Sequence, residues 1–241
     1  MSETGQVRAD RVTREGLLLG ARLTVPLWPG IIVFAMAYGT AAVQKGLSVA
    51  EAMLASGMVF AGAAQLVALE AWTADWTLGA ILLVSIVTFT VNARIILMGA
   101  SLQPWIAPIP GRIVWPSLAL LTDANWVITE RYRAEGGRDA GVMIGAGLML
   151  WVVWLSATLP GALLGRLVQD PARFAIDLVL PVFFSAMAVP LWKGRRDTIA
   201  WTMAGIVSVA TWWLVPGYLF MITGAVAGAI TGALLGMRDD G

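Results

Sequence analysis

The chain has 241 residues, 59% of them hydrophobic and only 13% charged, with a formal net charge of +1. Soluble domains carry about 25% charged residues, so the composition excludes an ordinary soluble domain and offers no basic surface for nucleic acid. The absence of both Cys and His excludes disulfides, thiol chemistry, Cys or His metal sites and a histidine proton relay. Twelve Trp and 26 Gly fit membrane spans and their flanks, where both residue types are frequent. The expected fold class is all-α, a polytopic membrane helix bundle.

Taken in order, residues 1–15 are polar, show no cleavable signal and read as a short disordered cytoplasmic tail. Residues 16–238 read as one transmembrane transporter domain. A span needs about 20 apolar residues. Eight candidates (seven if the weakest is discounted) lie at 23–43, 51–69, 77–101, 113–129, 142–164, 174–192, 199–215 and 218–237. The fourth is the least secure, because Asp123 interrupts it.

The Lys/Arg bias sets orientation. With Arg8, Arg11 and Arg14 inside, the other inside segments carry Arg131, Arg133 and Arg138, then Lys193, Arg195 and Arg196, then Arg238. The outside loops carry only Lys45, Arg112, Arg166 and Arg173. Both termini are thus expected in the cytoplasm. On this topology the third span runs outward and Arg94 lies in its outer half.

A shift of 126 residues aligns Ala35, Gly39, Glu51 and Gly79 with Gly161, Gly165, Asp177 and Gly205. Duplicated halves are common in transporters, with the site at their interface. Four spans per half would make the repeats parallel, and a re-entrant or broken segment would make them inverted.

Arg94 is the one charge in the third apolar run. A guanidinium stays charged, and an intramembrane charge is by default a functional hypothesis. The alternative is that its stem snorkels to the headgroups. Asp123 and Asn125 interrupt span four, and a carboxylate in hydrocarbon must pair, face water or take a proton. Arg94 is its natural partner.

Gly57, Ala61, Ala64 and Ala68 form a small-residue face on span two, with Gln65 upon it. Gln65 and the Gly62 backbone read equally as a polar solute site or as an interhelical hydrogen bond. Glu51 follows Ser48 at capping-box spacing, so it reads first as a helix-start residue and second as a transport carboxylate. Asp177 precedes Pro181 by four residues, and Pro181 would free its carbonyl. That suits an ion or amine site as well as it suits a plain helix start. Gly224, Gly228, Gly232 and Gly236 form a ridge for close packing, either inside the protein or against a second subunit. No catalytic constellation or phosphate loop appears, so neither an enzyme nor a cofactor is expected.

Several of these pieces carry a resemblance. Gly46-Leu47-Ser48 with Glu51-Ala52, Phe60-Ala61-Gly62-Ala63-Ala64-Gln65, Val91-Asn92-Ala93-Arg94, Leu97-Met98-Gly99-Ala100-Ser101-Leu102, Leu121-Thr122-Asp123 and Asp177 together resemble the AzlC family, the large subunit of branched-chain amino acid exporters. The resemblance runs from about Pro26 to Pro190. It implies export of these amino acids across a bacterial inner membrane, with a small AzlD-type membrane partner. The chain departs from the family's usual pattern at Ala64, Ile95 and Ala124, where Ser, His and Glu are common, and so lacks two titratable groups.

The expected function is a secondary transporter exporting hydrophobic amino acids, with proton coupling. Phe60, Gly62, Gln65, Asn92 and Arg94 are the candidate substrate residues, and Asp123, Asp177 and Glu51 the candidate coupling or charge-pair residues. The alternatives are a non-transporting assembly or regulatory subunit and a passive channel for small solutes.

Overall fold

In the computed structural model, residues 8–72, 77–165, 185, 192, 194–215 and 219–237 are described, and they are overwhelmingly helical. The chain divides into two compact units, Met1–Val179 and Leu180–Gly241.

The first unit is built on two parallel rods. Thr13 caps α1 (Arg14–Leu23), its hydroxyl accepting from Gly16 N at 3.0 Å. A short 3-10 turn at Val25–Leu27 carries the chain into α2 (Trp28–Gln44). Pro26 and Pro29 sit at helix-start positions of these two pieces, where a missing N–H costs nothing. The whole stretch Arg14–Gln44 is long and apolar enough to cross a membrane, and the same holds for α5 (Leu78–Ile106) and α8 (Gly141–Gly165). α8 lies alongside α1 and α2 in the same direction: Gly145 meets Leu17, Gly20 meets Val142, Gly161 meets Met36 and Gly165 meets Thr40. Glycines let the two backbones approach closely. The Thr40 hydroxyl also donates to Gly161 O at 3.0 Å. Gly39, Gly161 and Gly165 of the 126-residue match thus lie at the contact between the two parallel rods.

The second and fourth expected spans are each broken in two. Ser48 and Glu51 close a reciprocal capping box on α3 (Val49–Met58), and α4 (Gly62–Glu70) follows after three residues. Glu70 at the end of α4 pairs with Lys45 at the end of α2, 3.7 Å away. The chain therefore enters with α3, turns at residues 59–61, and returns to its starting end with α4. The same V occurs between α6 (Gly111–Leu118) and α7 (Asp123–Ala134), entering from the opposite end. Two residues link it to the end of α5: Trp105 Nε1 donates to Gly137 O at 3.0 Å, just past α7, and Ile109 packs beside Trp105 just before α6.

This corrects the expected path of the chain. Because α3–α4 does not cross, α5 runs back toward the N-terminal end, and Trp105 O at its close accepts from Ala9 N at 2.9 Å. Arg94 stands near the middle of α5, sixteen residues after its start and twelve before its end. Arg112 likewise moves to the end that holds Arg11, Arg14, Arg131, Arg133 and Arg138. The sixth expected span, at 174–192, falls almost wholly outside the described residues.

Residues 8–13, expected as disordered tail, form an ordered strap. Asp10 N donates to Arg138 O at 3.0 Å and Ala140 N to Arg11 O at 2.9 Å. Ala9 packs with Leu102, Trp105, Ile106 and Met143. The node is Asp139, 5% exposed. Its carboxylate accepts from Thr13 N at 3.1 Å, from the Thr13 hydroxyl, and from Gly141 N at 2.8 Å. One carboxylate thus caps the start of both rods, where negative charge suits the helix dipoles. Asp139→Ala is expected to lower stability by about 2–4 kcal/mol, since it strips a charged acceptor from three donors. Thermal melting of the purified variant checks this, with Asp139→Asn expected to lose less.

In the second unit, α9 (Arg195–Leu214) and α10 (Leu219–Met237) pack as a pair. The glycine ridge faces α9: a Cβ on Gly228 would lie 3.0 Å from Ala204 Cβ, and Gly224 abuts Ser208. The Thr223 hydroxyl donates to Thr211 Oγ1 at 2.9 Å. Trp212 and Trp213 remain exposed, as spanning-segment anchors would be.

Candidate functional site

The two breaks approach each other along the middle of α8. At the first, Trp151 Nε1 donates to Gly57 O at 3.0 Å, the Ser56 and Thr158 hydroxyls share a hydrogen bond of 3.0 Å, and the Trp154 ring covers Gly62. At the second, Gly147 meets Leu120 and the Asn125 amide. Seven residues separate Gly147 from Trp154, about 10 Å at 1.5 Å per residue.

The first break carries unspent polar groups. Ala61 precedes α4 and no side chain caps that helix, so the first N–H groups of α4 lack intrahelical partners. Gln65, 5% exposed, reaches across the V and donates from Nε2 to Ala55 O at 3.0 Å, while its Oε1 has no partner among the described residues. Trp154, 4% exposed, also has an Nε1 with no partner among the described residues. Its ring lies edge-on to Phe34 at 5.4 Å and tilted against Tyr38 at 6.1 Å. Phe60 is buried in the turn itself. Leaving a buried polar atom unpaired costs about 1–3 kcal/mol, and Gln65 Oε1 and Trp154 Nε1 are two such atoms.

The second break carries charge. Asp123 is the first residue of α7, capped by Thr122, whose hydroxyl accepts from Asn125 N at 3.3 Å. Asn125, fully buried, donates from Nδ2 to Leu120 O at 3.2 Å and accepts from the Thr129 hydroxyl at 3.3 Å. This fixes the turn. Arg94 Nη2 lies 3.0 Å from Asp123 Oδ2, with side chains 35% and 24% exposed. Arg94 Nε is buried and has no partner among the described residues. One heptad further along both helices, Ser101 faces Glu130, and Arg133 donates from Nη1 to Glu130 Oε1 at 3.2 Å and to Ser101 O at 3.0 Å. Glu130 is therefore held in a network on the Asp123 face.

The structure thus groups Phe60, Gly62 and Gln65 at one break and Arg94 with Asp123 at the other. Asn92, two residues before Arg94, is turned about 200° away on the helix and does not share its face. Glu51 is removed from both breaks. It stands exposed at the start of α3, its Oε2 accepting from Ser48 N at 2.7 Å, which is a capping role. Asp177 lies outside the described residues.

Residues 26–168 match the protein family described as AzlC protein. The chain belongs to the AzlC family. AzlC proteins are components of branched-chain amino acid transport. No curated protein and no solved structure matches the chain. The AzlC match spans both breaks, α2, α5 and α8, so all the unspent polar groups described above fall within it. Of the departures from the usual AzlC pattern, Ile95 packs against the apolar cluster around Trp105 and Ala124 follows Asp123 in the first turn of α7.

Sequence reasoning placed Gln65, Arg94 and Asp123 among the candidates but passed over Trp154 and Asp139. Asp139 had a legible signal, an acid two residues ahead of an apolar helix start. Trp154 had none, because its role depends on a contact with Gly62 across the fold.

Proposed function

We propose that the chain exports branched-chain and similar hydrophobic amino acids across the bacterial inner membrane as a secondary transporter, driven by the proton gradient and assembled with a small AzlD-type subunit. The observation that carries this reading is the pair of broken helices entering from opposite ends, with their breaks against the middle of α8. Broken helices with exposed backbone ends are how many transporters bind polar solutes at mid-membrane. Non-helical backbone at that depth is tolerated only where protein or water surrounds it.

In this reading the substrate passes between the two breaks. Arg94, with its free Nε, offers its carboxylate a stop in competition with Asp123. Asp123 takes the coupling proton when Arg94 is drawn away, and Asp177 is the second candidate acid. The strap end faces the cytoplasm, because Arg11, Arg14, Arg112, Arg131, Arg133 and Arg138 gather there while Lys45 marks the opposite end, the arrangement that the positive-inside rule requires.

Efflux of radiolabelled valine or leucine from dipeptide-loaded cells tests the function. Cells with the chain and its partner are expected to empty faster than cells lacking either, and faster still with an intact proton gradient. Equal efflux in all strains would overturn the reading.

A further inference from the structure

We propose that the break between α3 and α4 is a zwitterion site that divides an α-amino acid between two helix ends. The N–H groups of Gly62, Ala63 and Ala64 take the carboxylate, and Gln65 Oε1, with the carbonyls that end α3, takes the ammonium. The proposal rests on the amino acid transport reading and gives the substrate's charged ends particular partners.

The geometry points there for three reasons. First, α4 has nine residues and no side-chain cap, so its start carries the partial positive charge of a helix N-terminus and donors aimed outward. Helix side chains lean toward the N-terminus, so Gln65, in the first turn and a half of α4, places its amide over that end. Second, the amide's orientation is set by Nε2, which spends itself on Ala55 O. The buried Oε1 is left as an acceptor with no donor among the described residues. An ammonium supplies three donors. Of the last α3 carbonyls, Ala55 O and Gly57 O are engaged by Gln65, Val59 and Trp151, and the rest of that turn remains available beside Gln65.

Third, no acidic side chain stands at this break among the described residues. Glu51 is at the far, exposed end of α3, and Asp123 is held by Arg94 at the other break. A bare cation would therefore find only neutral acceptors, and a bare anion would meet the unpaired Gln65 oxygen. A zwitterion satisfies both ends at once. Trp154 and Phe34 form an apolar wall against Gly62, which suits a hydrocarbon side chain.

The test is equilibrium binding to the full-length chain in detergent micelles. The three probes are L-leucine, leucinamide, which lacks the carboxylate, and 4-methylpentanoate, which lacks the ammonium. Each truncated probe is expected to bind wild type at least about tenfold more weakly than leucine, the effect of one lost charge-assisted hydrogen bond. Gln65→Leu should weaken leucine by about the same factor and leave 4-methylpentanoate unchanged or improved. Gln65→Glu should reject leucine through its carboxylate yet bind leucinamide better than wild type does. Equal affinity of wild type for all three probes would overturn the site whatever the variants do. Wild-type leucine affinity in both folded Gln65 variants would also overturn it, while leaving the transport reading intact. No leucine binding by wild type, together with no leucine efflux, would remove both.

Discussion

Gly161→Val is expected to abolish the folded protein. A Cβ at this position would collide with the backbone oxygen of Met36 and lie 2.6 Å from its Cα. Backbone cannot swing aside as a side-chain tip can, so the two rods would have to separate. Ordinary overpacking costs about 1–3 kcal/mol. Here the contact between α2 and α8, the backbone of the first unit, is at stake, and about 4–5 kcal/mol is the reasonable scale for such exceptional substitutions. Against a total stability of about 5–15 kcal/mol, most of the variant should be lost before purification. The control is Gly205→Ala in α9, where a Cβ would meet nothing within 4 Å. That change removes backbone freedom from the unfolded chain and should add about 0.5–1 kcal/mol. Size-exclusion profiles and thermal melting of both variants decide the matter. A Gly161→Val protein that elutes and melts like wild type would mean the rods are not packed as described.

These two glycines look alike in the sequence, and the reason shows where sequence reading stops. Composition and apolar runs located α5, α8, α9 and α10 to within a few residues, because a long helix in hydrocarbon needs only length and hydropathy. Arg94 and Asp123 were matched by inventory, since two opposite charges in apolar surroundings have few other ways to be neutral. The break at 59–61 was not legible. Phe60-Ala61-Gly62-Ala63-Ala64 holds no proline and reads as continuous helix. What opens it is tertiary: Trp151 takes a carbonyl of α3 and Trp154 packs on Gly62. Missing that turn counted α3–α4 as a crossing, which reversed the expected direction of α5 relative to the rods and placed Arg112 at the end away from the strap. The second break did have a sign, Thr122 ahead of Asp123, which is an N-cap in the middle of an apolar run. Three residues of the 126-residue match, Gly39, Gly161 and Gly165, lie where the two parallel rods touch.

Breaking the Arg94–Asp123 pair from one side is expected to damage both fold and transport, and neutralising it from both sides should damage transport alone. The two side chains meet at 3.0 Å and remain about a third and a quarter exposed. Removing one partner of a fully buried pair costs about 3–5 kcal/mol, because the survivor is left uncompensated. Partial solvation reduces that to about 2–3 kcal/mol for Arg94→Leu or Asp123→Leu. The double variant leaves no stranded charge, and exchanging an ion pair for apolar side chains is often neutral. It should therefore melt within a few degrees of wild type. If the pair only holds α7 against α5, the double variant should also export leucine normally. If Arg94 receives the substrate carboxylate and Asp123 the coupling proton, the double variant should fold, bind leucine at the first break, and yet show no efflux above cells lacking the chain. Only a functional pair separates folding from transport in this way, so efflux and melting measured on the same double variant decide which role Arg94 plays.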